Sequence, residues 1–313
     1  MKLRSASLLD LGRIEQIHRE AEARLSSEPP PARLWSLVSQ TLTALLPLNQ
    51  ESLLYVAERD GTVIGFVQAS SPTPSLTLSP RITALQVLNV CVDAGGEDDE
   101  DDVAAALIEW LVRAAGGKGV HRLFVRVPLD DPLLPLFRMQ GFRQYATESV
   151  LFTDAASPRR AHPDMAGARP YRWRDERRLY TLYRRVTPAA VVQLEAPSHR
   201  QWRATRGEHG QQEVVDRTEL VAWARIQSGS EARPHILSFM AVPERDLVAE
   251  LADHVLTACE GEPAWASLRH YDAPMIDALR GRGFSTLLTQ ALLVRDTTVR
   301  EELSERALVP SFG

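Results

Sequence analysis

The stretch DDPLLPLFRMQGFRQYATESVLFTD, residues 130–154, returns as DAPMIDALRGRGFSTLLTQALLVRD, residues 272–296. The two stretches align without a gap at a constant offset of 142 positions. Eight positions are identical, including the Gly-Phe steps at Gly141-Phe142 and Gly283-Phe284. Matches that stay in register over a predicted helix and the strand after it indicate that one structural unit occurs twice.

The same order of predicted elements precedes both stretches. Apolar residues recur at helical spacing after Ser7, and Asp10 stands where a capping box needs an acid. Apolar segments on either side of Asp60-Gly61 predict a β-hairpin. For the first half we predict strands over 2–6, 52–58, 62–69, 82–92, 120–127 and 142–152, with helices over 8–25, 33–46, 103–115 and 131–140. For the second half we predict strands over 171–173, 214–216, 219–227, 235–242, 264–270 and 284–295, with helices over 175–186, 246–259 and 274–280.

These patterns predict an α/β protein (α+β mixed sheet) with two tandem domains. The first domain covers residues 1–154 and the second covers 171–297. Residues 155–170 hold three prolines, a glycine and three arginines, which is linker composition. Residues 298–313 form a tail that we expect to be helical.

Composition excludes several classes of protein. The 313 residues suit two domains, and the net charge of −5 argues against a general nucleic-acid binder. The two cysteines, Cys91 and Cys259, cannot form a disulfide framework, and no two histidines have metal-ligand spacing, so we expect no metal. No apolar run suits a signal peptide or a membrane helix, so we expect a cytoplasmic protein without a membrane partner.

The element order, the Gly-Phe steps and the hairpin end Val63-Ile64-Gly65-Phe66 resemble the GNAT (GCN5-related N-acetyltransferase) superfamily. The resemblance covers most of the chain, except the linker, residues 187–212 and the tail. It implies two tandem acyl-CoA N-acyltransferase domains, with acetyl-CoA as the cofactor and an amine, on a small molecule or a protein, as the acceptor. In tandem members such as the mycothiol synthase group, one half is often active and the other structural.

The resemblance also implies where acetyl-CoA would bind. In the family, the fourth strand contacts the pantetheine, and a glycine-rich loop before the next helix holds the pyrophosphate. Free N–H groups and the positive end of a helix suit such an anion. The matching residues are Val90, Cys91, Val92, Gly95 and Gly96 in the first half, and Met240, Ala241, Val242 and Arg245 in the second.

Both halves depart from the family pattern. In the first half, six consecutive carboxylates at 97–102 follow the glycines, in a segment predicted as a loop over 94–102. Like charges beside a pyrophosphate repel by about 1 kcal/mol per pair even in water. In the second half, Pro243 removes an amide donor, although Arg245 supplies positive charge.

The usual catalytic pair is replaced as well. Asp130 and Asp272 stand where the family has an asparagine, while Phe137 and Leu279 stand where it has a proton-donating tyrosine. Neither apolar side chain can donate a proton, so the resemblance assigns no catalytic residue to this chain.

Two hypotheses follow from these observations. The chain is an acyl-CoA-dependent N-acetyltransferase, or it is a non-catalytic GNAT-like pseudoenzyme that serves as a binding or assembly module. A protein partner or a second copy of the chain would then contact the acidic run at 97–102 or the arginine-rich region. That region, residues 169–206, holds ten arginines against three acids. For both charged segments an ordinary solvated surface is the simpler interpretation.

Overall fold

A computed structural model describes residues 1–25, 52–71, 84–93, 97–159, 165–206, 210–229 and 234–297. The predicted helix at 33–46 and the tail at 298–313 lie outside these ranges.

The first half follows the predicted order closely. The Asp60-Gly61 turn is confirmed, with φ angles of 50° and 81° that glycine and aspartate tolerate. Its elements are β1 Lys2–Ser5, α1 Leu11–Leu25, β2 Ser52–Arg59, β3 Thr62–Ser70, β4 Ala84–Val92, α2 Glu97–Gly117, β5 Arg122–Pro128, α3 Leu133–Met139 and β6 Arg143–Thr153.

The acidic run was wrongly predicted as a loop, because α2 begins at Glu97. Carboxylates are favourable in the first turns of a helix, where they face the positive end of its dipole. Residues 97–102 thus form the first residues of α2.

The second half repeats the order with two differences. Its elements are β7 Ala168–Pro170, α4 Glu176–Val186, α5 Ala189–Glu195, α6 His199–Arg206, β8 Gln211–Asp216, β9 Leu220–Gln227, β10 His235–Ala241, α7 Arg245–Thr257, β11 Ala264–Arg269, α8 Ala273–Arg280 and β12 Ser285–Asp296. Strand β7 lies inside the predicted linker, because residues 168–170 pair with β8, and the strand predicted at 171–173 was wrong. Helices α5 and α6 occupy a segment that the sequence patterns left unassigned.

An ion pair at the start of each half is also repeated. Arg4 contacts Asp10 at 2.7 Å, and Arg169 contacts Asp175 at 2.6 Å. The arginine side chain holds the pKa of each carboxyl below its usual range. The pair ties the first strand of each half to the start of its first helix.

The two halves share one sheet of twelve strands, in the order β1-β2-β3-β4-β5-β12-β6-β11-β10-β9-β8-β7. The last strand of each half lies beside the fifth strand of the other half. Thus β12 pairs with β5, β6 pairs with β11, and β6 and β12 pair with each other at the centre. The halves therefore exchange strands.

This exchange creates a pseudo-twofold axis that the repeat identifies. Glu148 pairs with Gln290 in the β6–β12 register, and these two residues are separated by the repeat offset of 142 positions. Each is thus its partner's counterpart, so the axis passes between them. The Gln290 amide donates to the Glu148 carboxylate at 2.5 Å.

Each hydrophobic core also receives side chains from the other half. Ala291 and Leu293 of β12 pack in the core of the first half, while Leu151 of β6 and Ala156 pack in the core of the second. All four are fully buried. Neither half therefore has a complete core without the other.

Candidate functional site

In both halves the two parallel central strands separate at one end. Pairing of β4 with β5 ends at Val87 and Val125, although the strands continue to Val92 and Pro128. Pairing of β10 with β11 ends at Leu237 and Ala266, although they continue to Ala241 and Arg269. Beyond these points the facing backbone groups have no partner across the gap among the described residues, so they are available to a ligand.

A cavity of about 110 Å³ lies at the separation of the second half. It is smaller than pockets that enclose a drug-sized ligand, about 300 Å³ or more. Its walls are mainly apolar, with three polar residues. The residues that line the cavity are Arg185, Val186, Phe239, Met240, Ala241, Pro243, Val248, Leu268, Tyr271, Asp272, Pro274 and Met275.

Two neighbouring side chains give this cavity its chemistry. Burial raises the pKa of Asp272 to about 7, although a hydrogen bond from the Arg269 backbone N–H opposes the rise. Burial also raises the pKa of Tyr271, so its phenol keeps its proton at neutral pH. A carboxyl that titrates near neutrality beside a protonated phenol is a combination typical of acid–base sites.

A buried polar cluster lies behind these two residues. Arg269, at the end of β11, contacts Glu148 at 3.2 Å and Glu195 at 3.0 Å. Tyr145 of β6 donates its hydroxyl to Glu195 at 2.6 Å. The cluster is thus built from both halves, because strand exchange places β6 beside β11. It fixes the end of β11, directly before the helical turn His270–Asp272 that contains Tyr271.

The residues predicted for the second half fall around the cavity. Met240 and Ala241 line it. Val242 is buried and donates its backbone N–H to the Val221 carbonyl at 2.9 Å, so that amide is already engaged. Arg245 is exposed at the first position of α7 and does not line the cavity.

The matching residues of the first half have different surroundings. Val90, Cys91 and Val92 lie on β4 beyond its last pair with β5, while Gly95 and Gly96 lie outside the described residues. Beside them, Arg13 of α1 forms an ion pair with Asp93 at the end of β4. In this pair the Arg13 guanidinium balances the Asp93 carboxylate, and the acidic run of α2 begins four residues further along the chain.

The replaced tyrosine positions are core positions. Phe137 packs edge-on against Phe142 with ring centroids 5.1 Å apart, and Leu279 is fully buried. Tyr271, which the sequence analysis missed, matches Leu129 at the repeat offset. Comparing the two halves one position earlier than Asp130 and Asp272 would have shown a phenol in the second half alone.

The described residues contain no group of three or more His, Cys, Asp or Glu side chains placed to hold a metal ion. Among the described helices, none is long and apolar enough to cross a membrane.

Comparison with solved structures identifies the fold. A tandem GNAT protein from the clavulanic acid biosynthesis pathway is 14% identical with a TM-score of 0.59, covering 94% of this chain and 98% of that one. The chain has the tandem GNAT fold. A GCN5-related N-acetyltransferase from Sphaerobacter thermophilus is 16% identical, with a TM-score of 0.54 and coverage of 94% and 95%.

A third tandem-length match is the GCN5-related glucosamine N-acetyltransferase region of a fungal multi-domain GH3 β-N-acetylglucosaminidase. It is 12% identical, with a TM-score of 0.61, and covers 94% of this chain and 38% of that one. No protein-family model matches the sequence, and no curated protein matches it. The GNAT likeness is therefore one of fold.

Proposed function

We propose that the second half binds acyl-CoA at the separation of β10 and β11 and transfers the acyl group to an amine. The observation that carries this proposal is the mainly apolar cavity that presents Tyr271 and Asp272 at the open end of the two strands. Acetyl-CoA is the donor that the fold favours, and the acceptor is an amine on a small molecule or a protein.

The residues around the cavity suit such a donor. The backbone of Met240 and Ala241 faces the gap without a β11 partner among the described residues, which leaves polar groups for the pantetheine. Pro243 has no N–H, so the start of α7 offers fewer amide donors than a glycine loop. Arg245 and the positive end of α7 supply the charge for the pyrophosphate instead.

Asp272 and Tyr271 would transfer the protons of the reaction. Acyl-CoA supplies an activated acyl carbon. Asp272 takes a proton from the acceptor ammonium, which frees the nitrogen lone pair to bond to that carbon. Tyr271 donates a proton to the sulfur as the carbon–sulfur bond breaks, and it regains one from the nitrogen. Acid–base groups of suitable pKa contribute about 10²–10⁴-fold each.

The non-catalytic hypothesis fits the first half better. Its helix α2 begins with six acidic residues, and their negative charge disfavours a pyrophosphate at that end. Leu129, in place of Tyr271, cannot donate a proton. We propose that this half is structural and supplies β6 to the second half.

Isothermal titration with acetyl-CoA, and with CoA as a control, tests the proposal. Met240→Trp places an indole at the cavity, and Cys91→Trp is the matched change on β4. We expect wild type and Cys91→Trp to bind at micromolar strength, and Met240→Trp to bind at least about tenfold more weakly, a loss of about 1.4 kcal/mol. Absence of binding in wild type at millimolar ligand would exclude the acyltransferase function.

The arginine-rich region and the acidic start of α2 remain proposed contact surfaces for a partner. Three of the ten arginines in the arginine-rich region are paired with acids of the second half, since Asp216 pairs with Arg169 and Arg178, and Glu219 pairs with Arg185. Asp216 and Glu219 lie outside residues 169–206, so the local count in the sequence overstated the positive charge. The acidic start of α2 stays a predicted contact surface, and the cytoplasmic location stays a prediction.

A further inference from the structure

Arg206 and Arg225 differ from the paired arginines around them. Arg206 ends α6, and Arg225 lies on β9 beneath it. Arg225 donates to the Arg206 backbone carbonyl at 2.5 Å and to the Ser238 hydroxyl at 3.2 Å. Arg206 donates to the Gln212 amide oxygen and to the Tyr171 hydroxyl. All four acceptors are uncharged, and among the described residues neither guanidinium contacts a carboxylate.

Both side chains also retain unused donors. The Nε atoms of Arg206 and Arg225 are buried, and neither has a hydrogen-bond partner among the described residues. A buried donor without a partner destabilises the folded chain, and more so when the group is charged. The sites that satisfy guanidinium groups best are carboxylates and phosphates, which match the planar fork of donors.

Aromatic rings hold the two cations in place. The Arg206 guanidinium carbon lies 4.7 Å from the ring centroid of Tyr171 and 5.3 Å from that of Trp202. Both arginine carbons lie 5.9 Å from the Trp223 ring centroid. Burial, followed by the charge of Arg206, lowers the pKa of Arg225. These cation–π contacts stabilise each guanidinium, but they offset only part of the repulsion between the two adjacent positive charges.

We propose that Arg206 and Arg225 together bind an oxyanion, a carboxylate or phosphate group, on the side of the sheet covered by α6. Such a ligand would satisfy the unused donors and neutralise the two adjacent charges. Ser238, which Arg225 contacts, is the first residue of β10 beyond its last pair with β11. Met240 of the cavity follows two residues later, about 7 Å along the strand.

This position allows three sources for the oxyanion. The oxyanion is a group on the acceptor, a phosphate of the acyl donor, or a free anion from solution. The site itself does not depend on acyl transfer, because its evidence is the arginine pair alone. A failure of acetyl-CoA to bind would therefore leave this inference standing.

Phosphate binding by the whole chain tests the inference. Thermal unfolding is measured in sodium phosphate and in sodium chloride of equal ionic strength, and phosphate affinity is measured by titration. The variants are Arg225→Gln and, as a matched arginine control at an exposed position, Arg174→Gln. We expect phosphate to raise the unfolding midpoint of wild type and of Arg174→Gln.

For Arg225→Gln we expect no midpoint rise with phosphate and an affinity weaker by about tenfold or more. In chloride this variant should unfold cooperatively at a midpoint close to that of wild type, since the removal of one of two like charges offsets the loss of the hydrogen bonds to the Arg206 carbonyl and the Ser238 hydroxyl. That result also shows that it folds. Equal midpoints of wild type in phosphate and chloride, or an unchanged phosphate response in Arg225→Gln, would overturn the inference.

Two acids near the pair in sequence, Glu208 and Glu231, lie outside the described residues. If they supply the missing charge, the double variant Glu208→Gln/Glu231→Gln will lose stability at low salt and gain phosphate affinity, which would also overturn the inference. We expect neither change.

Three further probes identify the source of the anion once phosphate binds. If O-phosphoethanolamine binds more tightly than phosphate and ethanolamine does not bind, the result supports an acceptor that carries the oxyanion. Tight binding of adenosine 3′,5′-bisphosphate, lost in Arg225→Gln, supports the acyl donor. Phosphate binding alone supports a free anion.

Discussion

Replacing Asp272 by asparagine should make the protein more stable at alkaline pH. The pKa of this carboxyl is raised by burial from 3.8 to about 7. The folded state therefore holds an additional proton between about pH 4 and pH 7, and the free energy of unfolding falls as the pH rises through that window. The rise in pKa corresponds to about 4 kcal/mol, since one pKa unit is about 1.36 kcal/mol. Asparagine has the same shape, can still accept from the Arg269 N–H, and cannot ionise.

Urea denaturation at a series of pH values from about 4 to about 8.5 measures this effect. The stability of Asp272→Asn minus that of wild type should grow with pH and level off above about pH 8, near 4 kcal/mol. Asp130→Asn, at the exposed matching position of the first half, controls for the loss of a surface carboxylate. A difference that stays constant with pH, or that shrinks as the pH rises, would contradict the proposed ionisation of Asp272 and its role as proton acceptor.

Two further predictions concern the exchanged strands. Leu151→Ala and Leu293→Ala, at matching repeat positions that are fully buried, should each lower the free energy of unfolding by about 2–5 kcal/mol. Amide hydrogen exchange should then become faster mainly in the half that receives the substituted strand. Faster hydrogen exchange only in the half that contains the substituted residue in sequence would contradict the swapping of β6 and β12. Glu148→Ala should cost about 3–5 kcal/mol, because it leaves the guanidinium of Arg269 buried with one partner fewer and releases Arg126. Chemical denaturation measures this cost, and a loss below about 1 kcal/mol would show that the central cluster is not a stabilising one.

Most elements of the fold are predictable from local patterns in the sequence. The Asp60-Gly61 turn, the helix after Ser7 and the strands with alternating apolar residues follow from spacing and turn chemistry. Two errors came from composition. The acidic run at 97–102 is helical despite its charge, and the proline-rich segment ending at Pro170 contributes the strand β7, because pairing with β8 outweighs its composition.

The candidate site was predictable only in part. Met240 and Ala241 follow from the resemblance, since the strand that separates from its neighbour is recognisable by its place in the order. Tyr271 and the Arg206–Arg225 pair were not identified, because their significance depends on burial and on neighbours distant in sequence. The arginines of residues 169–206 look alike in the sequence, and only the fold distinguishes those paired with Asp216 or Glu219 from those facing uncharged acceptors.

The sequence by itself determined the duplication and the order of helices and strands, because each of these is a property of residue types at fixed spacing. Only the tertiary structure decided that β6 and β12 change places. Both strands carry similar apolar patterns, so either would satisfy the ladder hydrogen bonds beside β5 or β11, and local chemistry cannot distinguish the two pairings. The same step decided that Glu148, from the first half, supports the cavity of the second, since a contact between residues more than a hundred positions apart leaves no local pattern in the chain.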